Sequence, residues 1–377
     1  MVPPGGCRNV AARTDVCHPR EGLARWAIGE LAQRLKHRDA ESARGFAQRL
    51  GAFWTQVAPR EESARFFERT LAVAEALDSP ELSASLLKPF SLERLTPRAA
   101  PRLVALGQRY GLEWCRAILE SWASERRHDT LGGRQAEWTT SLAKVCGQLC
   151  VDESAPGLEL ARWLVTEEWS RILKQWMELR GEPHPTIMRD AVGRMSKLIL
   201  ALLESSLIAN SPELHGDIVR VLTSSDQQYP IRGLMHLLRT AHETRSRDAL
   251  RDLGLASLHE QCRKTLTVRL RMPVRDKDNW SIPAPCGCAC RLCGTLARFL
   301  GASDQVRFEW PLAKDQRAHI HHILDAHDLP VSHTTRRAGR PFTLVLTKTE
   351  ALFEREATER ETWEGDLVWL TSTAGAF

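Results

Sequence analysis

Between residue 21 and residue 264 the apolar positions recur at three- and four-residue steps. Leu23, Trp26, Ala27, Leu31 and Leu35 form one such stripe, Trp169, Ile172, Leu173 and Trp176 a second, and Leu234, Leu237, Leu238 and Ala241 a third. That spacing lines one face of a helix, and each face must be buried against a neighbour. Breaks at Pro59, Asp78-Ser79-Pro80, Pro97 and Pro101, Gly132-Gly133, Pro156-Gly157, Gly181-Glu182-Pro183 and Ser211-Pro212 cut the region into helices of common globular length. Serial helices with short joints predict a mainly α fold, an irregular helical-hairpin stack resembling an α-solenoid. No repeat consensus of the tetratricopeptide or ankyrin kind is present. Residues 1–20, with Pro3, Pro4, Gly5 and Gly6, read as a loose N-terminal segment.

The pattern changes near residue 265. Thr265 to Arg271 alternates and reads as a short strand, followed by a charged turn at Arg275 to Asp278. Leu292, Leu296, Phe299 and Leu300 then share a helical face, which places Cys293 at a helix start. Ala313 to His327 reads as a further helix with Ile320, Ile323 and Leu324 inward. Val331 to Arg337 and Phe342 to Lys348 flank Ala338-Gly339-Arg340-Pro341 as a β-hairpin, and Glu350 to Leu370 returns to helix. The predicted organisation is thus a helical scaffold over 21–264 and a small α+β module over 265–377.

Composition narrows the class without naming a reaction. The 377 residues hold 52 basic and 47 acidic side chains, a net charge of +5 that is too mild to diagnose nucleic-acid binding. The run Leu198 to Leu203 is too short to cross a bilayer, and the first residues lack the basic start and apolar core of a secretory leader. A cytoplasmic, non-membrane protein is expected. Phosphate-binding loops, dinucleotide fingerprints, nucleophile elbows and His-Glu-x-x-His are absent from the sequence. His215-Gly216-Asp217 matches the start of a facial His/carboxylate iron triad that His259 would complete, but it opens an apparent helix, Gly216 to Leu222, where strands normally support that motif. It reads as a chance match, with Asp217 favouring the helix start.

Cysteine usage supplies the one strong chemical signal. Four of the ten cysteines, Cys286, Cys288, Cys290 and Cys293, fall within eight residues, and His319, His321, His322, His327 and His333 follow. Zinc prefers four thiolate or imidazole ligands, and Cys290-x-x-Cys293 has the spacing at which two sulfurs reach one ion from a turn entering a helix. The expected ligands are Cys290, Cys293 and His319, with His333 or Cys288 as the fourth and His322 able to chelate beside His319. His327 reads as a core residue and His321 points elsewhere. A closed set of protein ligands makes the zinc structural, contributing to folding.

Two other features have bland readings. The tryptophans at helical spacing, Trp114 and Trp122 among them, are expected to pack a core, because burial is where their area stabilises most. Arg336, Arg337, Arg340 and Lys348 make a hairpin with no acidic residue between 331 and 349. It would suit phosphate groups, yet no aromatic platform accompanies it, and acids on the following helix can neutralise it.

Three segments carry a resemblance: Asn279-Trp280-Ser281-Ile282-Pro283, Cys288 to Leu300 around Cys290-Arg291-Leu292-Cys293, and Thr334 to Lys348. They resemble the C-terminal region of large proteins that bear an N-terminal 2-oxoglutarate/Fe(II)-dependent oxygenase domain, and Tyr110 through Trp122 is similar to the helical region before it. The likeness covers most of residues 80 to 370. In that family the iron and 2-oxoglutarate ligands belong to the upstream domain, so no catalytic residue carries over. The resemblance implies an accessory scaffold with a protein partner, an oxygenase. The expected function is a non-catalytic interaction protein with a structural zinc site.

Overall fold

The computed structural model describes residues 21–58, 63–124, 133–152, 154–179, 185–224, 230–285, 288 and 290–377. The N-terminal segment 1–20, Pro59, Gly132, Gly181, Glu182, Pro183 and Cys286 lie outside them. The fold is mainly α with a small antiparallel sheet near the C-terminus, and the chain divides into two compact units, Met1–Asp129 with Lys144–Trp163 and Thr130–Ala143 with Leu164–Phe377.

The first unit contains α1 (Glu21–Lys36), α2 (Ala40–Val57), α3 (Ala64–Ala76), α4 (Pro80–Leu87), α5 (Ala100–Tyr110), α6 (Leu112–Ser124), and segments of α7 (Gly133–Leu149) and α8 (Ala155–Leu179). Consecutive helices pack in the pairs α1 with α2, α3 with α4 and α5 with α6. Alternate ones pack as well: α1 with α3, α2 with α4, α3 with α5 and α4 with α6. That is the contact pattern of stacked helical hairpins. The joints follow the expected chemistry. The Ser79 hydroxyl accepts from the backbone N–H of Leu82, with Pro80 starting α4. Gly111 at φ +93 turns α5 into α6. In α1, Ala24, Ala27, Ile28 and Leu31 are buried, while Trp26 is 59% exposed and meets Phe46 edge-on. The stripe on Leu23 and Trp26 was therefore displaced: two adjacent stripes satisfy the same spacing, and small side chains take the face that approaches a neighbour closely.

The second unit continues with α9 (Pro185–Ile208), α10 (Pro212–Thr223), α11 (Ile231–Thr244), α12 (Arg247–Asp252) and α13 (Ala256–Arg271). Then come α14 (Arg291–Gly301), β1 (Arg307–Pro311), α15 (Lys314–Ala326), β2 (Val331–Arg336), β3 (Thr343–Lys348) and α16 (Ala351–Thr373). Residues 265–271, expected as a strand, complete α13. Leu258, Cys262 and Leu266 are buried at four-residue steps, and packing on α10, α11 and α16 outweighs the β-preference of Thr265, Thr267 and Val268. The hairpin is present as β2 and β3, with Gly339 at φ +77 between them. It is widened to three strands in the order β1-β3-β2 by β1, which was not anticipated.

Cross-strand neighbours share a face. The rows Phe308–Leu346–His333 and Trp310–Leu344–Thr335 therefore look the same way, with Val331 beside Lys348. That face joins a hydrophobic cluster with Leu296, Phe299 and Leu300 of α14, Ile320 and Leu324 of α15, and Ile282 of the preceding loop. This cluster positions the cysteines.

Candidate metal centre

The loop before α14 is held at both ends. The side chain of Arg275 donates to the carbonyl oxygens of Asn279 and Ser281 at 3.1 and 2.6 Å, and to Glu356 of α16 at 2.5 Å. The backbone N–H groups of Trp280 and Ile282 donate to Ser303 and Leu300 at 2.8 and 2.7 Å. Burial of Ile282 then directs the chain toward the start of α14. Cys290 is the N-cap residue there, and its sulfur accepts from the N–H of Cys293 at 3.4 Å. At the other end of α14, Lys348 of β3 is buried and donates to the carbonyls of Leu300 and Ala302 at 3.0 and 2.6 Å. A cation there complements the negative end of the helix.

His319 reaches the same place from α15. Ile320, Ile323 and Leu324 hold that helix in the core, and Gln316 accepts from the N–H of Ala313 at its start. The Nε2 atom of His319 lies 3.6 Å from the sulfur of Cys288, 3.6 Å from that of Cys290 and 3.4 Å from that of Cys293. The Cys293 sulfur is 3.4 Å from that of Cys288 and 3.5 Å from that of Cys290, and all four donor atoms lie within 4.8 Å of one another. Metal–sulfur bonds of about 2.3 Å and a metal–nitrogen bond of about 2.0 Å put tetrahedral sulfurs about 3.8 Å apart, and sulfur about 3.5 Å from nitrogen. The sulfur–nitrogen distances match those lengths and the sulfur–sulfur distances of 3.4 and 3.5 Å are somewhat shorter, whereas a disulfide would need sulfurs at about 2.0 Å. Cys288, Cys290, Cys293 and His319 can hold a metal ion.

The electrostatics of Cys290 and Cys293 point the same way. The N–H of Cys293 and the Cys288 thiol bring Cys290 down to about 6, whereas burial and the neighbouring sulfurs push Cys293 up to about 12. Sulfurs this close cannot all carry negative charge without a cation among them. Elsewhere, burial drives Cys115 up to about 12, and burial together with the Asp366 charge does the same for Cys262, as expected of inert core thiols.

Of the expected ligands, His333 is not in this group. Its Nε2 donates to Asp325 at 3.0 Å and its Nδ1 lies 2.5 Å from that of His321, because alternation in β2 turns it toward a different side of α15. His322 is exposed and outside the group. His327 caps α15 and is half-buried rather than a core residue. The His215 ring bonds the hydroxyl of Ser206 at 2.9 Å and the carbonyl of Leu253 at 3.1 Å, Asp217 pairs with Arg220, and His259 is buried beside Thr373. His215 and His259 therefore serve packing, while Asp217 makes a surface pair inside α10, which begins at Pro212 and not at Gly216.

The basic hairpin is partly neutralised, from a direction that was not anticipated. Arg336 forms a two-pronged pair with Glu309 of β1 at 3.1 and 2.6 Å, and Arg336, with Arg307, holds that carboxyl below the usual carboxylate range. Three acids of α16 are used elsewhere, Glu356 on Arg275, Asp366 on Arg239 and Glu364 on Arg360. Lys348 faces inward, leaving Arg337 and Arg340 exposed.

Comparison with protein-family models, with curated proteins and with solved structures finds no match to this chain. Among the described residues, no helix is long and apolar enough to cross a membrane.

Proposed function

We propose that this chain is a non-catalytic, mainly helical interaction protein whose C-terminal α+β module is tied together by one structural zinc ion. The closed four-donor geometry of Cys288, Cys290, Cys293 and His319 carries this reading. Three thiolates and one imidazole complete a tetrahedral zinc shell and leave no position for substrate, as in structural sites. Zinc would join the loop and the start of α14 to α15, and a reducing cytoplasm would keep the thiols available. Interaction is supported by an open groove on the same unit, lined by Met272, Val274, Phe353 and Trp363 with Arg269 and Lys277. Val268, Met272 and Val274 are each at least 60% exposed, an apolar patch of the kind that protein partners cover.

Elemental analysis of protein purified without chelator tests the zinc. One zinc per chain is expected, lost with reduced stability in both Cys290→Ser and Cys293→Ser; a metal-free, fully folded wild type would refute the reading.

A second reading makes the chain the accessory part of a 2-oxoglutarate/Fe(II) oxygenase system. It is favoured by one observation: Ile282, Leu296, Phe299, Leu300, Leu344 and Leu346, from the three segments that resemble that family, share one hydrophobic cluster. Co-purification with an oxygenase, lost on Met272→Asp, would support it. Iron-dependent 2-oxoglutarate turnover by this chain alone would overturn both readings. Nucleic-acid binding is the weakest alternative, since Arg336 is paired and Lys348 buried.

A further inference from the structure

The helix that carries His319 presents a second convergence of donors on another side. His321 lies two residues further along α15, roughly half a turn around the helix axis. It meets His333, which β2 places on the core-facing side of the sheet opposite Leu346. The two Nδ1 atoms are 2.5 Å apart and the ring centroids 4.7 Å apart. On the far side of the His333 ring, Nε2 donates to Asp325 at 3.0 Å, and Asp325 stands one turn beyond His321 on α15. A carboxylate on Nε2 keeps the proton there and leaves Nδ1 as a lone pair aimed at His321. This is the outer-shell arrangement by which proteins orient an imidazole toward a metal.

In the ion-free state, one proton between the two Nδ1 atoms satisfies both rings. A divalent ion can take its place if that proton moves to Nε2 of His321, so that a neutral pair binds with no net proton release. Bonds of about 2.0 Å to each nitrogen require the two Nδ1 atoms to separate to about 3 Å. The Asp325 side chain is 67% exposed and can follow that rotation.

We propose that His321 and His333, with Asp325 as the positioning residue, form a second metal site separate from the cysteine cluster. Two imidazoles suit a borderline transition ion of the zinc, copper or nickel class. The remaining positions stay open to water or to a carboxylate supplied from outside, so the ion is exchangeable. The cysteine site is closed; this one is accessible.

Titration of the reduced full-length chain with Co²⁺ separates the two sites by their ligands. Binding at the cysteine cluster adds sulfur-to-metal charge transfer, whereas binding at the histidine pair is detected calorimetrically without it. A second, weaker equivalent with no further charge transfer is expected. His321→Gln and His333→Gln should abolish it while keeping the charge-transfer band, and Asp325→Asn should weaken it by about 10- to 100-fold. Saturation at a single equivalent, or a second one that survives either histidine substitution, overturns the proposal. Asp325→Asn, at an exposed position, supplies the test if a histidine variant loses the band through misfolding; unchanged affinity in it then counts against the site. Absence of the band in wild type would defeat the cysteine-site reading alone, because the histidine site is judged by its sulfur-free signal.

Discussion

Trp54 of α2 and Trp122 of α6 are both buried, and their indole N–H groups donate to adjacent carbonyls, Leu86 at 2.8 Å and Leu87 at 2.7 Å. Those carbonyls end α4, beyond its own ladder of bonds, and that of Leu87 also accepts from the N–H of Phe90 at 3.2 Å. Trp122→Phe removes one of the two bonds to the Leu87 carbonyl, which keeps the N–H of Phe90, and opens a void, and is expected to cost about 1–3 kcal/mol. Urea denaturation should show a lower midpoint at unchanged slope, and a variant as stable as wild type would contradict this role. Reading tryptophan as core was sound for Trp122 and not for Trp26, because a ring's burial depends on which of two neighbouring stripes faces inward. Lys348 shows a signal that was legible but unused. Leu344, Leu346 and Lys348 alternate along β3, and period two puts all three on one face. Charge suggested a phosphate contact; strand geometry placed the amine on the end of α14.

At the scale of elements, the long amphipathic helices and the hairpin of β2 and β3 were readable, and two other short runs were not. Seven residues ending α13 alternate like a strand, while five residues, Arg307–Pro311, are one. Periodicity cannot separate the two at such lengths, and the decision comes from tertiary partners: α16 covers α13, and β3 supplies the ladder for β1. The cysteine part of the metal centre was legible because its spacing is local. His319 was legible too; what stayed open was the fourth donor, His333 or Cys288, since that depends on how the sheet and α15 meet. The α13–α16 contact makes its own prediction. His259 is buried beside Thr373 and Phe377, and burial holds its pKa below the ordinary value; Glu260 and Arg263 are the charges that act on it, with opposite signs. A neutral imidazole in the fold and a freely titrating one in the unfolded chain make stability complete above about pH 6.5, and progressively lost as pH falls toward the folded pKa. The metal ligands titrate in acid too, so the informative quantity is a difference. Denaturation of wild type and His259→Gln at about pH 7.5 and about pH 5 should show a smaller acid loss in the variant, and equal losses would remove His259 from the account.

On the scale of the whole molecule, the magnitudes decide what removing the metal does. Structural zinc contributes roughly 10–16 kcal/mol in small zinc domains at neutral pH, as much as the roughly 5–15 kcal/mol that separates a typical domain from its unfolded state. The cluster around Leu300, Ile320 and Leu344 is small, and two of its helices, α14 and α15, carry the proposed ligands. Stripping the ion should therefore loosen the elements that meet at this cluster before it affects helices whose cores lie in the other unit. Hydrogen exchange before and after chelation is the measurement that resolves this. Protection should fall in α14, α15 and β1–β3, including the Lys348 contacts at the end of α14, and should hold in α1–α6, where Trp54, Phe67 and Trp122 are buried without any metal ligand. Readdition of zinc should restore protection in the wild type and not in Cys293→Ser. If chelation leaves α14 and α15 as protected as before, the ion is not what holds that module together, and the four donors serve some other chemistry.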